Sequence, residues 1–376
     1  MKIGFDAKRI VRNNTGLGNY GRTLVNDLSG IVPEDTMLCL YAPDEGNEVL
    51  RQQVNEAPNV AFRYPQRRAP KWYWRSHGIV SDLQRDGISL FHGLSGELPL
   101  GIRKAGIRSV VTIHDLIFLR HPEYYHRLDA FFYRRKFHRT LREADRIIAI
   151  SECTKRDIMH YGRFPEDKID LIYQSCSTFF KQREGEGKLH EVRTRYNLPV
   201  RYIVGVGSIE ERKNMLLAVK ALLRLPEEIS LVLVGRHTPY CDQISRYVRE
   251  NRLGNRVLIL HDVPNADLPA IYQMAEVSVY PSRYEGFGIP VIEAIQSGLP
   301  VVACSGSCLE EAGGPDSLYV SPDDVEGMAE SIRLVMKGAE GREQRITAAQ
   351  QYVRRFEGND VASQVYEVYR RVKSEE

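Results

Sequence analysis

Short apolar segments alternate with helix-like segments along most of the chain, and this alternation leaves few possible architectures. In the second half, apolar runs typical of buried strands cover Tyr202–Val206, Ser230–Val234, Val257–Leu260, Val277–Tyr280 and Pro300–Ala303. Segments with helical periodicity separate them at Met215–Leu223, Cys241–Glu250, Ala266–Met274 and Val291–Gln296. Strands joined by helices form parallel sheets that are covered on both faces. The sequence therefore predicts an α/β fold.

The first half shows the same alternation. Its predicted strands are Ile3–Asp6, Met37–Tyr41, Val60–Arg63, Ser89–Phe91, Ser109–Ile113, Ile147–Ile150 and Ile169–Tyr173. Between the halves, residues 181–188 (KQREGEGK) are polar and contain glycine, which is typical of a linker. A chain of 376 residues also exceeds one ordinary core. We predict two Rossmann-like domains with parallel sheets facing across a central cleft. They cover residues 1–178 and 188–357, and a C-terminal helix at about 358–376 packs back on the first domain.

Composition excludes several classes of protein. The formal net charge is only +3, and no nucleic-acid-binding motif accompanies it. No apolar run has the length of a transmembrane helix, and the N-terminus begins as a strand rather than as a signal peptide. The six cysteines show no paired spacing, so we expect reduced thiols and no metal site. The interpretation is a cytoplasmic protein that does not bind nucleic acid.

Two carboxylates and two glycines follow the predicted strand Val277–Tyr280. Glu285 lies on a loop whose glycines let the backbone approach a ligand. Glu293 is expected in the first turn of the helix that Pro290 begins. Open α/β sheets bind ligands at this end of their strands, and a helix N-terminus favours anions. A helix start that merely complements the dipole is the alternative for Glu293 alone, but the whole stretch indicates a binding site.

A basic pair follows the predicted strand Tyr202–Val206. Arg212 and Lys213 come at the end of a glycine-containing loop and directly before a helix. Arginine offers a planar fork of donors and lysine a point charge, and both suit a diphosphate. A solvated surface pair is the alternative. The neighbouring Glu210 and Glu211 would cancel the charge of a surface patch, which favours the binding site.

In the first half, a glycine-rich segment and a histidine lie at predicted strand ends. Gly16 and Gly18 belong to a loop before a helix expected over Tyr20–Leu28. A glycine loop between a strand and a helix can bring backbone N–H groups to a phosphate, although a simple turn is the alternative. His114 directly follows the strand Ser109–Ile113, so it is expected at the ligand-binding edge. A purely structural histidine is the alternative.

Two segments interleave basic and aromatic residues. Residues 67–75 hold both tryptophans, and residues 127–142 (RLDAFFYRRKFHRTLR) combine basic and aromatic side chains with a single aspartate. As a helix, the second segment would present aromatic residues beside a cationic face, as helices on anionic membrane surfaces do. The alternative is an ordinary amphipathic helix that buries Leu128, Phe131 and Phe132 in the core. The membrane reading would make the protein peripheral on the inner face of the plasma membrane.

The segments around the basic pair and the two glutamates resemble a known family. GVGSIEERKN (205–214) and PSRYEGFGIPVIEA (281–294) are similar to the retaining, nucleotide-sugar-dependent glycosyltransferases of family four, which have the GT-B fold. The resemblance extends over residues 257–282 and to short N-terminal pieces at 15–20 and 112–116. The segment TIHDLIFLRHPEY (112–124) looks most like bacterial mannosyltransferases of polysaccharide and O-antigen assembly.

The resemblance implies a role for each matched residue of the second domain. Arg212 and Lys213 would hold the donor diphosphate and stabilise the leaving nucleotide. Glu293 would hydrogen-bond the ribose hydroxyls, and Glu285 would contact the donor sugar. Three consecutive residues would touch the sugar and phosphate through their backbone: Phe287, Gly288 and Ile289.

The resemblance also implies roles in the first domain. His114 would lie near the anomeric carbon of the donor sugar. Gly16 and Gly18 would let their loop close over the diphosphate. Arg212, Lys213, Glu285 and His114 are therefore the residues expected to carry catalysis.

The resemblance leaves donor, acceptor and mechanism open. GDP-mannose is the expected donor, and a glycan or lipid-linked sugar is the expected acceptor. A UDP-sugar donor is the first alternative, followed by a nucleotide-sugar epimerase and a non-catalytic nucleotide-binding protein. No D-x-D occurs, so neither a metal on the diphosphate nor a further cofactor is expected. Front-face attack and double displacement through a carboxylate both remain open.

Overall fold

The computed structural model describes residues 1–66, 69–357 and 360–374. Arg67 and Arg68, from the first basic aromatic segment, lie outside the described residues, as do the ends of the predicted C-terminal helix at 358–359 and 375–376. The chain divides into two compact units. One runs from Met1 to Gln174 and includes the C-terminal helix, and the other begins at Ser175.

Both units are built on a sheet of parallel strands. The first sheet has seven strands in the order β3-β2-β1-β4-β5-β6-β7, and the second has six in the order β10-β9-β8-β11-β12-β13. The strands are β1 Lys2–Asp6, β2 Met37–Tyr41, β3 Val60–Arg63, β4 Leu90–Gly93, β5 Arg108–Ile113, β6 Arg146–Ala149, β7 Ile169–Leu171, β8 Tyr202–Val206, β9 Ser230–Val234, β10 Val257–Leu260, β11 Val277–Tyr280, β12 Val301–Cys304 and β13 Leu318–Val320. The predicted α/β class is confirmed.

Helices connect the strands in the order expected of crossover units. The first unit contributes α1 Lys8–Arg12, α2 Gly16–Ile31, α3 Glu48–Arg51, α4 Lys71–Tyr73, α5 Ile79–Arg85, α6 Ile117–Arg120, α7 Arg127–Glu143 and α8 Glu152–Gly162. The second unit contributes α9 Glu186–Tyr196, α10 Met215–Leu222, α11 Tyr240–Glu250, α12 Leu268–Met274, α13 Ile289–Gln296, α14 Leu309–Gly313, α15 Val325–Leu334 and α16 Arg342–Val353, and α17 Val361–Ser374 ends the chain. A π-helical turn covers Trp74–Gly78, and 3₁₀ turns cover Pro122–Tyr124, Glu166–Lys168, Thr178–Lys181, Glu211–Lys213, Asn265–Asp267 and Arg354–Phe356.

The predicted strands are confirmed to within two residues at each end. The predicted linker at 181–188 is only partly irregular, because α9 begins at Glu186. Helix α9 was not predicted from hydrophobic periodicity, because Val192 is its one buried residue. The strand β13 and the helices α14 to α16 were not predicted, and β13 is only three residues long.

The core of the first unit includes the C-terminal helix. Residues Val365, Val368 and Tyr369 of α17 are fully buried in the same cluster as the apolar side chains of β1 and α2. The second unit has its own core, in which α10 packs beside β9 and α15 packs against α10, β12 and β13.

The strand order of the second sheet brings two loops together. The chain runs outward from β8 through β9 to β10, then returns to pair β11 against the other edge of β8. Loops that follow two such strands leave the sheet in opposite directions and open a crevice at the carboxyl ends. The backbone N–H of Arg283, after β11, donates to the carbonyl of Arg212, after β8, at 2.9 Å. The two sequence stretches expected at the site are therefore adjacent.

Two helices begin earlier in the chain than predicted. Helix α13 starts at Ile289 because Gly288, with φ 118°, takes a left-handed conformation that makes it the N-cap. Pro290 falls within the first turn, where proline is tolerated. Glu293 consequently lies beyond the first turn of α13, which corrects its predicted position.

Gly16 and Gly18 lie inside a helix rather than in a loop before it. Helix α2 begins at Gly16, with Thr15 as its N-cap, so Gly16 and Gly18 both belong to its first turn. A Cβ atom on Gly18 would come within 1.8 Å of the carbonyl oxygen of Asn13, whereas one on Gly16 would have no neighbour within 4 Å. Packing therefore requires a glycine at position 18 and leaves the surface open at position 16.

We expect Gly18→Ala to destabilise the protein by about 2–3 kcal/mol, because the added methyl group must displace backbone. Gly16→Ala is the matched control. It should leave stability unchanged or raise it slightly, since alanine favours a helix over glycine by up to about 1 kcal/mol. Thermal unfolding of the full chain, followed by circular dichroism, checks both variants. Equal midpoints for the two would contradict the packing requirement at Gly18.

Candidate active site

A buried carboxylate organises the loop that follows β11. Glu285 is 9% exposed, and its Oε1 atom accepts a hydrogen bond from the Ser282 hydroxyl at 2.6 Å. Lys213 Nζ lies 2.6 Å from the same oxygen and Arg212 Nη1 lies 3.1 Å from it. Although burial opposes ionisation, the two cations lower the pKa of Glu285 to about 2. The carboxylate is therefore ionised at neutral pH.

The two cations are held on several sides. Arg212 donates to the carbonyl of Tyr284 at 2.6 Å and pairs with Glu210 at 2.8 Å. Lys213 is 9% exposed and donates to the Tyr280 hydroxyl at 2.7 Å. The carboxylate of Glu285 raises the pKa of Arg212 above its usual range against the opposing effect of burial. The alternative reading of a solvated surface pair is wrong for both residues.

The other carboxylate of this stretch has a different environment. Burial raises the pKa of Glu293 to about 7, and no cation offsets that effect. Lying beyond the first turn of α13, Glu293 also gains less from the helix dipole than a first-turn residue would. The two glutamates eight positions apart therefore differ at neutral pH, because one is fully ionised and the other is about half protonated.

The residues between these glutamates pack closely against the rest of the unit. The Phe287 side chain is buried against Phe356, and its carbonyl accepts a hydrogen bond from the Cys308 thiol at 2.6 Å. A Cβ on Gly288 would lie 3.0 Å from Leu309, so packing as well as its left-handed backbone requires a glycine there. Ile289 is the first residue of α13, where N–H groups have no acceptor within the helix.

His114 occupies the carboxyl end of β5 in the first unit, as predicted. Its Nε2 atom lies 2.9 Å from the Leu94 carbonyl, which can only accept, so Nε2 carries the proton. Nδ1 then accepts from the Gln174 side-chain amide at 3.1 Å. Burial lowers the pKa of His114 to about 4. At neutral pH the ring is therefore uncharged and held in one tautomer.

A chain of side-chain contacts connects His114 to the C-terminal helix. The Tyr369 hydroxyl of α17 lies 2.6 Å from His92 Nδ1, and His92 Nε2 lies 2.8 Å from the Thr112 hydroxyl. Thr112 also contacts the Tyr20 hydroxyl at 3.1 Å, and the Tyr20 ring packs edge-on against His114 at 4.8 Å between centroids. The C-terminal helix thereby reaches the candidate site residue through three side chains.

Several of these supporting residues were not predicted. Tyr280 and Ser282 lie only five and three residues before Glu285, so this closeness in sequence could have indicated them. Gln174 and Tyr369 carry no such signal, because they meet the site through contacts that are long-range in sequence.

A cavity of about 250 Å³ opens beside His114 within the first unit. Its lining includes His114 and Asp115, together with Tyr133, Lys136 and Phe137 of α7. Its lining mixes aromatic rings with charged groups, which suits a sugar or another polar molecule with an apolar face. Apart from His114 itself, no sequence pattern predicted this cavity.

The outer face of α7 is exposed. Leu128, Phe131 and Phe132 are 73%, 57% and 55% exposed, so the alternative that they form an ordinary core face is wrong. The helix is instead anchored by Phe137 and Thr140, which are its buried residues. Among the described residues of the chain, no helix is both long enough and apolar enough to cross a membrane.

The other basic aromatic segment is only partly available at the surface. Trp72 is 73% exposed, whereas Trp74 is buried and its indole N–H donates to Asp82 at 2.7 Å. Arg75 forms ion pairs with Asp6 at 2.6 Å and Glu97 at 2.9 Å. Trp74 and Arg75 therefore stabilise the first unit rather than extend a surface patch.

Two family models match the chain in succession. The model described as "Glycosyltransferase Family 4" matches residues 36–177, and the model described as "Glycosyl transferases group 1" matches residues 191–352. The first lies almost wholly within the first unit. The second covers the loops that hold Arg212, Lys213 and Glu285, and the helix α13 that holds Glu293.

Individual proteins align over nearly the whole chain. It is 27% identical to O-antigen chain mannosyltransferase B of Escherichia coli, over 98% of this chain and 100% of that protein. It is 24% identical to O-antigen chain mannosyltransferase RfbU of Salmonella typhimurium, over 95% of this chain and 96% of that protein. The structure of a sucrose-phosphate synthase from Thermosynechococcus elongatus superposes with a TM-score of 0.80 at 20% identity, covering 100% of both chains.

Proposed function

Because the chain is a glycosyltransferase of the GT-B fold, we propose that it is a retaining hexosyltransferase that moves mannose from GDP-mannose to a glycan or lipid-linked acceptor. The buried cluster of Arg212, Lys213 and Glu285 is the observation that carries the proposal. The names of the mannosyltransferase relatives support mannose as the sugar. A UDP-sugar as donor is the alternative that the experiment below distinguishes.

The cluster suits the departure of a nucleoside diphosphate. Breaking the bond between the anomeric carbon and the phosphate oxygen leaves negative charge on the diphosphate. Arg212 and Lys213 are fixed before the reaction, so they stabilise this charge without reorganising. The guanidinium of Arg212 and the ammonium of Lys213 take the place of a metal ion, which in other sites is held by carboxylates and binds the diphosphate.

We assign Glu285 the orientation of the two cations and contact with the donor sugar. A nucleophilic carboxylate needs electron density on the oxygen that it presents to the anomeric carbon. The three donors on Oε1 of Glu285 draw that density from the whole delocalised carboxylate: Ser282, Lys213 and Arg212. A pKa of about 2 also makes this carboxylate a weak nucleophile. We therefore favour front-face attack over double displacement.

The front-face step balances without a protein base. The bond from the anomeric carbon to the phosphate oxygen breaks, the bond to the acceptor oxygen forms, and the acceptor's proton moves to the departing GDP. His114, neutral and donating through Nε2 to Leu94, holds no proton available to the leaving group at neutral pH. We assign it to the acceptor cavity beside it, where the uncharged ring lines the wall.

The outer face of α7 supports an acceptor presented at a membrane surface. Its exposed Leu128, Phe131 and Phe132 lie on a helix that carries six basic residues and two acidic ones over Arg127–Glu143. Apolar residues that insert at the lipid headgroups beside cations that attract them are typical of peripheral membrane helices. The same helix lines the cavity with Tyr133, so a lipid-linked acceptor bound at this surface would lie next to it.

The donor is tested by turnover with GDP-mannose, UDP-glucose, UDP-galactose and UDP-N-acetylglucosamine, scored by nucleotide release. We expect GDP release and thermal protection with GDP-mannose. Arg212→Ala and Lys213→Ala should each lower turnover by about 10²–10³-fold, because each removes a preorganised donor to the diphosphate.

Arg246→Ala is the matched control, since Arg246 is an exposed residue of α11 in the same unit. Circular dichroism confirms that each variant is folded. Full turnover in folded Arg212→Ala or Lys213→Ala would overturn the roles assigned to these residues. Release of UDP with GDP-mannose inactive would replace the proposed donor with the alternative.

The ribose contact assigned to Glu293 predicts a pH dependence of donor binding. The ionised carboxylate accepts from the ribose hydroxyls, so the affinity for GDP-mannose should rise as pH increases through about 7, the pKa of Glu293. One pH unit below that pKa, about a tenth of the molecules are ionised and binding should be roughly tenfold weaker than at high pH. Calorimetry between pH 6 and 8 measures this change.

Glu293→Gln should bind GDP-mannose weakly and without this pH dependence. Glu330→Gln, at an exposed glutamate of α15, should keep the profile of the native protein. A native profile that is flat between pH 6 and 8 would rule out the ionised Glu293 carboxylate as the ribose acceptor.

Membrane attachment is tested by flotation with vesicles that contain anionic phospholipid. We expect binding at low salt that weakens as salt is added. The double variant Phe131→Ser/Phe132→Ser should lower the partition coefficient by about tenfold or more, because two aromatic side chains no longer insert. Val49→Ser is the control, at an exposed apolar residue elsewhere in the first unit. Native protein that stays unbound at low salt would refute the proposal.

A further inference from the structure

Three side chains that commonly bind transition metals converge at the carboxyl end of the second sheet. The ligand atoms of His237, Cys241 and His261 all lie within 4.8 Å of one another. His237 follows β9, Cys241 lies in the first turn of α11, and His261 directly follows β10. Within residues 1–66, 69–357 and 360–374, no other group of three histidine, cysteine or acidic side chains meets this spacing.

We propose that His237, Cys241 and His261 bind a Zn²⁺ ion that ties the loop after β9 to the loop after β10. One thiolate and two imidazoles form a ligand set that zinc prefers, and water completes a four-coordinate site. Cysteine spacing alone predicts no zinc site, because no two cysteines are paired in the sequence. This cluster uses a single cysteine, and its histidines come from separate loops.

The hydrogen bond of His261 prepares its ring for a metal. Nδ1 lies 2.7 Å from the carbonyl oxygen of Gly235, which can only accept, so Nδ1 carries the proton. The lone pair of Nε2 is then free of a proton and points away from Gly235. Metal-binding histidines are commonly oriented by this kind of hydrogen bond to a backbone carbonyl, which also fixes the tautomer.

Cys241 is buried at the start of α11. It is the second residue of that helix, at the end where backbone N–H groups have no acceptor within the helix. The Thr238 N–H points at its Sγ atom at 3.5 Å. Cys241 is 3% exposed while His237 and His261 are exposed, so the ion would rest on a buried sulfur and be covered by two surface rings.

The observed spacing lies within reach of zinc geometry. Tetrahedral coordination with Zn–N of about 2.0 Å and Zn–S of about 2.3 Å places ligand atoms roughly 3.3–3.5 Å apart. Separations of up to 4.8 Å therefore close by at most about 1.5 Å. Rotation of the exposed histidine rings, whose centroids are 5.2 Å apart, supplies this movement without a change in the backbone.

The site adjoins the loop that leads to the donor cluster. The Thr238 hydroxyl, between two of the ligands, donates to the Ile209 carbonyl, and the Ile209 N–H donates to the Arg236 carbonyl at 3.4 Å. Ile209 precedes Arg212 and Lys213 on the loop after β8. A metal ion here would therefore order the support of the diphosphate-binding loop, without itself contacting the diphosphate.

The test uses full-length protein treated with a chelator and then titrated with Co²⁺, which replaces zinc and is coloured. We expect one equivalent to bind with the thiolate-to-metal charge-transfer band and the intense visible bands of a four-coordinate site. Zn²⁺ should displace it and bleach both. His237→Ala and His261→Ala should weaken metal binding by about 100-fold, and Cys241→Ser should abolish the charge-transfer band.

His160→Ala, at an exposed histidine of the first unit, is the control and should bind Co²⁺ like the native protein. The two histidine variants lie at the surface, so their circular dichroism spectra should match the native spectrum even if Cys241→Ser fails to fold. The absence of a charge-transfer band in native protein would overturn the proposal. Equal Co²⁺ affinity in His237→Ala, His261→Ala and His160→Ala would also do so.

Discussion

The ion cluster around Glu285 is the constraint on which the candidate site of the second unit depends. Two cations on the loop after β8 would repel each other if both were buried without a counter-ion. Glu285, on the loop after β11, neutralises part of that charge and ties the loops together.

Removing one member of a buried ion group typically costs about 3–5 kcal/mol, because the remaining charge loses its compensation. Since the pKa of Glu285 is lowered, this stabilisation is present above its ordinary pKa and is lost as pH falls toward 2. The same contact that stabilises the fold thus arranges Arg212 and Lys213 before any donor arrives.

Two groups of buried ionisable side chains are held in opposite states. Mutual neutralisation keeps Arg212, Lys213 and Glu285 charged, whereas burial keeps His92 and His114 uncharged and lowers their pKa values to about 3 and about 4. Each histidine uses both ring nitrogens in hydrogen bonds, so neither needs a proton from solvent. Under the proposed function, the cations supply electrostatic stabilisation of the leaving diphosphate, and the neutral ring of His114 shapes the cavity beside it.

The sequence predicted what strand ends determine and missed what packing determines. The alternation of strands and helices, and the placement of the loops with Arg212 and Glu285 at one end of the sheet, follow from local pattern and from the rule that parallel strands present ligands at their carboxyl ends. The starts of α2 and α13 were misplaced because an N-cap depends on backbone conformation, as with Gly288 at φ 118°, and not on residue type alone. Gln174 and the cavity beside His114 could not be predicted, since each depends on segments far apart in sequence. The roles of the site residues stay predictions.

Helix α7 shows why periodicity was insufficient for the acceptor side. Its aromatic residues have helical spacing, and such spacing indicates one apolar face without saying what covers it. Burial of Phe137 and Thr140 fixes the helix on the first unit, and this leaves Leu128, Phe131 and Phe132 directed outward.

The surfaces of soluble proteins seldom keep an apolar patch of this kind unless a partner covers it. The surrounding basic residues repel a cationic partner and favour an anionic one. A lipid surface with anionic headgroups has both the negative charge and the apolar interior that this face of α7 would contact. A helix that inserts on one side and lines the cavity on the other would bring a lipid-linked acceptor to His114 by diffusion along the membrane alone.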